Sequence, residues 1–203
     1  MTTNARAAVA ALCSAYRAVT EVVSGLDDAD FARATGCAHW SVDALLFHLM
    51  LDAQRALMAL AAPGTEPADT DDVSYWRAYA AEVEADEELE AETARFASGS
   101  AAAYGRPAGL VRHWTDLSAA AASAAARSDP DLTVATQRLR LGTDDFLRTL
   151  VVEATLHHLD LVRDLAGVPA PRRRTSPSPG PPSKRCSECP LRPTGTTAAR
   201  RCG

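Results

Sequence analysis

The sequence predicts an all-α fold, an up-and-down four-helix bundle with an additional or broken helix. Three observations carry that expectation. Apolar residues recur at steps of three and four in several separate segments, most links are short, and period-two alternation is almost absent. At 203 residues, 47% hydrophobic and 23% charged, the chain has the composition of a globular protein and the length for one domain plus an appendage.

The first helix is expected from Ala5 to Ser24. Val9, Leu12, Tyr16, Val19 and Val23 line one face, and Gly25 stands where a C-cap glycine would. After the link 26–40, Ser41 is a suitable N-cap, with Trp40 before it and Leu45 four residues on, the spacing of a hydrophobic staple. The second helix should then run from Val42 to about Ala61, with Leu45, Leu49, Ala53, Leu57 and Leu60 inward, and stop before Pro63-Gly64. A third is expected from about Val73 to Phe96, its start favoured by Asp71 and Asp72 beside the positive end of the helix dipole. A fourth should span Gly109 to Arg127, with Leu110, Trp114 and Leu117 inward, before Asp129-Pro130-Asp131 breaks it. The stretch from Leu132 to Thr143 fits a short extended pair. Thr143 is then expected to cap a last helix from Asp144 to about Ala166, closed by Gly167 and Pro169.

The net charge of −5 hides a division. Residues 1–170 carry 25 acids against 13 arginines, a net −12, whereas residues 171–203 carry eight bases against one acid, a net +7. An acidic body argues against nucleic acid as the main partner, because phosphate contacts need clustered Lys and Arg. No apolar run reaches the roughly 18 residues of a membrane span, and the N-terminus lacks the pattern of a secretory signal. No membrane association and a cytoplasmic location are the expectations.

The last helix is the informative one. At about 100° per residue, His157 falls about 40° from Glu153, with Asp160 about 20° to one side and Asp164 about 20° to the other. Leu150, Ala154, Leu161 and Leu165 cover one flank, and Val152, Leu156 and Leu159 the other. A helix apolar on both flanks should be largely buried, which points its polar stripe inward. An interior carboxylate without a partner costs several kcal/mol, about 2–7 for a polar group and more for a charge. A divalent cation supplies the reason, since Glu and His at i and i+4 converge on one ion. The third ligand should come from a facing helix, and His48 is the candidate, about 60° from Leu45 and about 40° from Asp52 on the second helix. Two His and one Glu leave positions open for substrate or solvent. The competing reading makes His48 a hydrogen-bonded core-edge histidine and pairs Glu153 with Arg148.

These two blocks also resemble a known family. TGCAHWSVDALLFHLMLDAQRAL, with Cys37, Trp40 and His48, is similar to the N-terminal segment of the mycothiol-dependent maleylpyruvate isomerase family, a member of the DinB-like group of metal-binding four-helix bundles. DDFLRTLVVEATLHHLDLVRDLAG is similar to that family's later helix. The resemblance spans about residues 5–168 and implies that His48, Glu153 and His157 are the metal ligands, with zinc the first expectation and mycothiol a cosubstrate. It implies thiol chemistry on a small electrophile, as an isomerase or S-transferase. A non-catalytic DinB-like metal-binding or interaction module and a hydrolase using metal-held water remain the alternatives, and a homodimer is an assembly to test. The turn before Trp40 reads Ala38-His39 where the family usually has Pro-Gly, which matters only if that turn needs a positive φ.

From this reading the domain is residues 1–168. Residues 169–203 have no hydrophobic periodicity and hold 8 of the 12 prolines, so a disordered tail is expected in place of the second α+β domain that relatives often carry. Its composition is what a GC-rich coding sequence read out of frame would give, so a frameshifted or truncated end is expected there. Cys186 and Cys189 form a lone CxxC, too little for a zinc site. Elsewhere His113 and Trp114 are expected to face the core, His158 to pack or support a ligand, and Asp160 and Asp164 to orient a ligand histidine. Cys37 reads as a buried thiol at a turn and Cys13 as core, and the acids from Glu82 to Glu92 read as a solvated surface.

Overall fold

The structure, a computed structural model, describes residues 3–165 apart from residue 86. Six helices and one hairpin follow in order: α1 (Thr3–Val23), a short 3-10 helix (Asp28–Ala32), α2 (Val42–Ala61), α3 (Asp72–Ala85), α4 (Glu87–Ala102), α5 (Pro107–Arg127), β1 (Thr133–Thr136), β2 (Leu139–Gly142) and α6 (Thr143–Arg163). The fold is mostly helical, as the apolar spacing predicts. Helix α1 packs on α6 and α5, and α2 packs on those same two helices, so the four close a ring around the core.

Helix α1 buries Ala8, Leu12, Tyr16, Val19 and Val23. Gly25 is not among the residues with positive φ, so α1 ends without the left-handed cap. Ser41 takes the N-cap position of α2, but its hydroxyl donates to the Asp43 carboxylate, and that carboxylate accepts the Ala44 N–H at 2.8 Å. The cap is thus relayed through Asp43. Helix α2 buries Val42, Leu45, Leu46, Leu49, Met50, Ala53, Ala56 and Ala59, while Leu57 and Leu60 are only half-buried. It is the described helix long and apolar enough to cross a membrane, by length and composition; half of that window is buried inside the fold. Helix α5 turns Leu110, Trp114, Ser118, Ala121 and Ala125 to the core, and the Trp114 indole N–H donates to Thr20 Oγ1 on α1 at 2.9 Å.

The helix expected over 73–96 is described as α3 and α4, on either side of residue 86, which lies outside the described residues. Helix α4 packs on α2, and α3 packs on α6, so each follows a different neighbour. Glu84 and Glu88, and Glu88 and Glu92, stand at i and i+4, where like charges disfavour a helix. Glu88 and Glu92 are exposed; most of the remaining acid side chains lie outside the described ones.

The extended pair is present as an antiparallel hairpin, with Val134 opposite Leu141, both buried. Its two turn residues, Gln137 and Arg138, have φ of 48° and 65°, the signs a two-residue primed turn needs to match strand twist. Gly64 and Thr133 exchange backbone hydrogen bonds at 2.9 and 3.0 Å, and this fastens the hairpin beside the end of α2. Thr143 does not cap α6. Gly142 holds the N-cap position, and the Thr143 hydroxyl donates instead to the Leu132 carbonyl at 2.8 Å. Nor is α6 buried on both flanks, since Val152, Leu156 and Leu159 are 38%, 50% and 44% exposed. Cys13 is exposed rather than core, and so is His113, whose Nδ1 pairs with the Tyr104 hydroxyl at 2.5 Å. The expected closure at Gly167 and Pro169, the tail from 169 and the Cys186–Cys189 motif lie outside the described residues.

Candidate metal centre

The packing of α2 on α6 brings three side chains together. His48 Nε2 lies 3.0 Å from Glu153 Oε1, His157 Nε2 lies 3.5 Å from the same oxygen, and the two imidazole rings meet edge-on with centroids 5.0 Å apart. One donor atom from each lies within 4.8 Å of the others. The i, i+4 spacing of Glu153 and His157 places both on one face of α6, and His48 comes from the facing helix. Arg148 does not compete for Glu153, because its guanidinium is taken by Asp145 at 2.6 Å.

The other nitrogen of His157 is also engaged. Nδ1 lies 3.2 Å from Asp160 Oδ2 and 3.7 Å from Cys37 Sγ, and the Cys37 thiol donates to the same Asp160 oxygen at 3.1 Å. Asp160 therefore orients His157 as the helical stripe predicts, whereas Asp164 is exposed and its carboxylate pairs with Arg163. His158 is buried and packs, its Nε2 without a partner. Cys37, half-buried, reaches this place because the 35–40 turn is docked on the end of α6. The Gly36 N–H donates to the Asp160 carbonyl at 2.9 Å, and a Cβ on Gly36 would come within 2.9 Å of Asp160 Cα, so only glycine fits there. Three residues on, His39 has φ 69°. The turn does need a positive φ, and it holds an exposed histidine in a conformation that costs a non-glycine residue about 1–2 kcal/mol. Trp40 then packs edge-on against the His48 ring, centroids 5.2 Å apart.

The charges in the cluster are strongly interdependent. Burial pushes the Glu153 carboxyl up, but hydrogen bonds and charge from His157 and His48 outweigh it and hold the group well below the usual range. Burial would lower His157, yet Asp160, Cys37 and Glu153 push it up to about 11. His157 in turn lowers Asp160, while burial keeps the Cys37 thiol up and so protonated. A proton on His157 is thus the positive charge that this cluster of acids requires when nothing else supplies one.

One further residue belongs here that the sequence reading used only as a marker. Asp52, one turn after His48, is bound at Oδ1 by Arg55 through Nε at 3.1 Å and a terminal nitrogen at 2.9 Å. Its Oδ2 is buried, has no hydrogen-bond partner and lies 3.9 Å from His48 Nε2. Burial pushes the Asp52 carboxyl up, Arg55 opposes this, and the Glu153 charge adds to it. A buried carboxylate oxygen without a hydrogen-bond partner, 3.9 Å from an imidazole nitrogen of the cluster, is a donor that suits a divalent cation.

The sequence model of the mycothiol maleylpyruvate isomerase N-terminal domain matches residues 12–162, a span that contains His48, Glu153 and His157. The chain belongs to this family. No curated protein and no solved structure matches it. For this mycothiol maleylpyruvate isomerase N-terminal domain, Cys37 was the neighbour hardest to foresee: it is 120 residues from His157 in sequence, and no periodicity links the two.

Proposed function

We propose that His48 Nε2, Glu153 Oε1 and His157 Nε2 hold one divalent cation, zinc first, and that the protein uses it in mycothiol-dependent chemistry on a small electrophile. The observation that supports this reading is the convergence of those three atoms from α2 and α6 while the far side of His157 is already held by Asp160. The second cluster, Cys37, His157 Nδ1 and Asp160, is less suited: its members satisfy one another by hydrogen bonds, and its thiol is protonated.

A cation there would act as a Lewis acid, favouring the thiolate form of a low-molecular-weight thiol for addition to an electrophilic carbon. The chain's own residues set the stage for that. Asp160 accepts the Nδ1–H of His157, which fixes the tautomer that presents Nε2. Trp40 limits rotation of His48. Glu153 supplies the negative charge between the rings, so His157 must surrender its proton when a cation enters.

Metal analysis of untagged protein should give about one equivalent per chain. His48→Ala should lose most of it, because two remaining ligands hold an ion poorly. Metal kept at wild-type stoichiometry in that variant would refute the assignment. Consumption of maleylpyruvate with mycothiol and zinc tests the chemistry; metal binding without consumption would make the chain a non-catalytic module.

A further inference from the structure

We propose that Asp52 is a fourth protein ligand of this cation, so that the ion sits between two imidazoles and two carboxylates. The inference rests on the metal reading above and is carried by a separate observation, the unsatisfied oxygen of Asp52.

Asp52 follows His48 by four residues on α2, which puts the two on one face of that helix. Arg55 binds only Oδ1 and is itself tied at its other terminal nitrogen to Thr136 Oγ1 on β1 at 3.3 Å. The guanidinium therefore stays on one side of the carboxylate. Oδ2 is left buried and without a partner, on the side where His48 Nε2 lies 3.9 Å away. Glu153 Oε1 lies 3.0 Å from that same nitrogen. His48 Nε2 is placed on Glu153 and leaves Asp52 Oδ2 beyond hydrogen-bond reach. A cation serves both at once.

The spacing suits this. Two donor atoms on one ion with bonds near 2.1 Å can stand no more than about 4.2 Å apart. His48–Glu153, His157–Glu153 and His48–Asp52 stand at 3.0, 3.5 and 3.9 Å, all inside that limit. Two carboxylates balance the charge of a divalent ion, and Arg55 behind Asp52 offsets the pull of its carboxylate. With four protein donors, a fifth position still remains for a thiol.

The test is a cobalt(II) titration of metal-free protein, read by affinity and by the visible d–d bands, which report coordination geometry. Asp52→Asn should bind cobalt at least about 10-fold more weakly, no less than the loss of an outer support, and with a changed spectrum. Arg55→Gln should keep the wild-type spectrum. Should Asp52→Asn leave an unpaired Arg55 that prevents folding, the double variant Asp52→Asn/Arg55→Gln removes the pair together and should show the same spectral change. Wild-type affinity in the Asp52 variant overturns the proposal, and so does weaker binding with an unaltered spectrum, since that would make Asp52 a distant charge and not a ligand. If wild-type protein takes up no cobalt, the metal reading itself falls. If it does and Asp52 is indifferent, only the fourth ligand is lost.

Discussion

The two nitrogens of His157 face two different chemistries. On the Nε2 side stand His48 and Glu153, and beside His48 an Asp52 oxygen with no partner. On the Nδ1 side stand Asp160 and the Cys37 thiol, each satisfied by the other and by the ring. Similar residue types thus make one side that leaves an oxygen without a partner and one side that is complete. The contrast shows why counting potential ligands does not locate a metal: what matters is which donors are still short of a partner.

The strongest way to break that contrast is Glu153→Gln. It keeps the volume but removes the anion between the rings, and it should weaken metal binding by more than about 100-fold, beyond what an outer support is worth. Stability of the metal-free protein should fall, because Glu153 is then the partner that holds the buried His157 proton. Metal competition with a chelator and denaturation by urea read the two effects. Unchanged metal with lower stability would mean a structural pair.

Asp160→Asn attacks the complete side. It should cost about 10- to 100-fold in metal affinity by releasing the His157 tautomer, measurable in the same competition assay. An unaffected affinity would show that the Nδ1 side orients nothing.

The pH response should separate the two states of the site. Without metal, His157 carries its proton up to about 11 against about 6.5 in the unfolded chain. The stability from that proton is complete below pH 6.5 and drains as pH climbs toward 11. A cation must displace the same proton, so metal affinity should climb over that window by up to about tenfold per pH unit. Urea melts with and without chelator, from pH 6.5 to 9, should therefore slope in opposite directions. Parallel slopes would remove His157 from the ligand set.

Cys37→Ser should change metal affinity by less than about tenfold and leave stoichiometry alone. A cobalt thiolate band that vanishes in this variant would place the ion on the Nδ1 side instead. The smallest effect is expected at the neighbouring turn, where His39→Gly should relieve the left-handed backbone and stabilise the fold by about 1 kcal/mol. The midpoint of chemical denaturation should rise with its slope unchanged.

Much of this architecture was legible in the sequence because helical periodicity is local. The 100° arithmetic that joined Glu153, His157 and Asp160 needs only α6, and the bounds of α2 follow from Trp40-Ser41 and Pro63-Gly64. Facing partners needed more. His48 could be chosen because it sits on the margin of an apolar face, and Asp52 shares that face, so its spacing was visible though its unsatisfied oxygen was not. Cys37 was invisible, since its place depends on a turn docked 123 residues away. The exposed flank of α6 misled for a related reason: Val152, Leu156 and Leu159 look like core until the neighbours are known. Thr143 looked like a cap because sequence cannot show that the Leu132 carbonyl is a better partner.

The docking of the 35–40 turn on the end of α6 also bears on how the protein is made. Gly36 binds the Asp160 carbonyl, and His48 meets a carboxylate 105 positions further on. At the ribosome, α2 emerges long before α6; at about 5–20 residues per second the interval is roughly 5–20 s. Throughout it, the broad apolar face of α2 waits without one of its two bundle neighbours, and His48 stands without Glu153 or His157. Closing loops of this length comes late, after local helices have formed. A cation at the proposed site would therefore enter as a finishing event of biosynthesis, open only to a chain whose last helix has already been delivered.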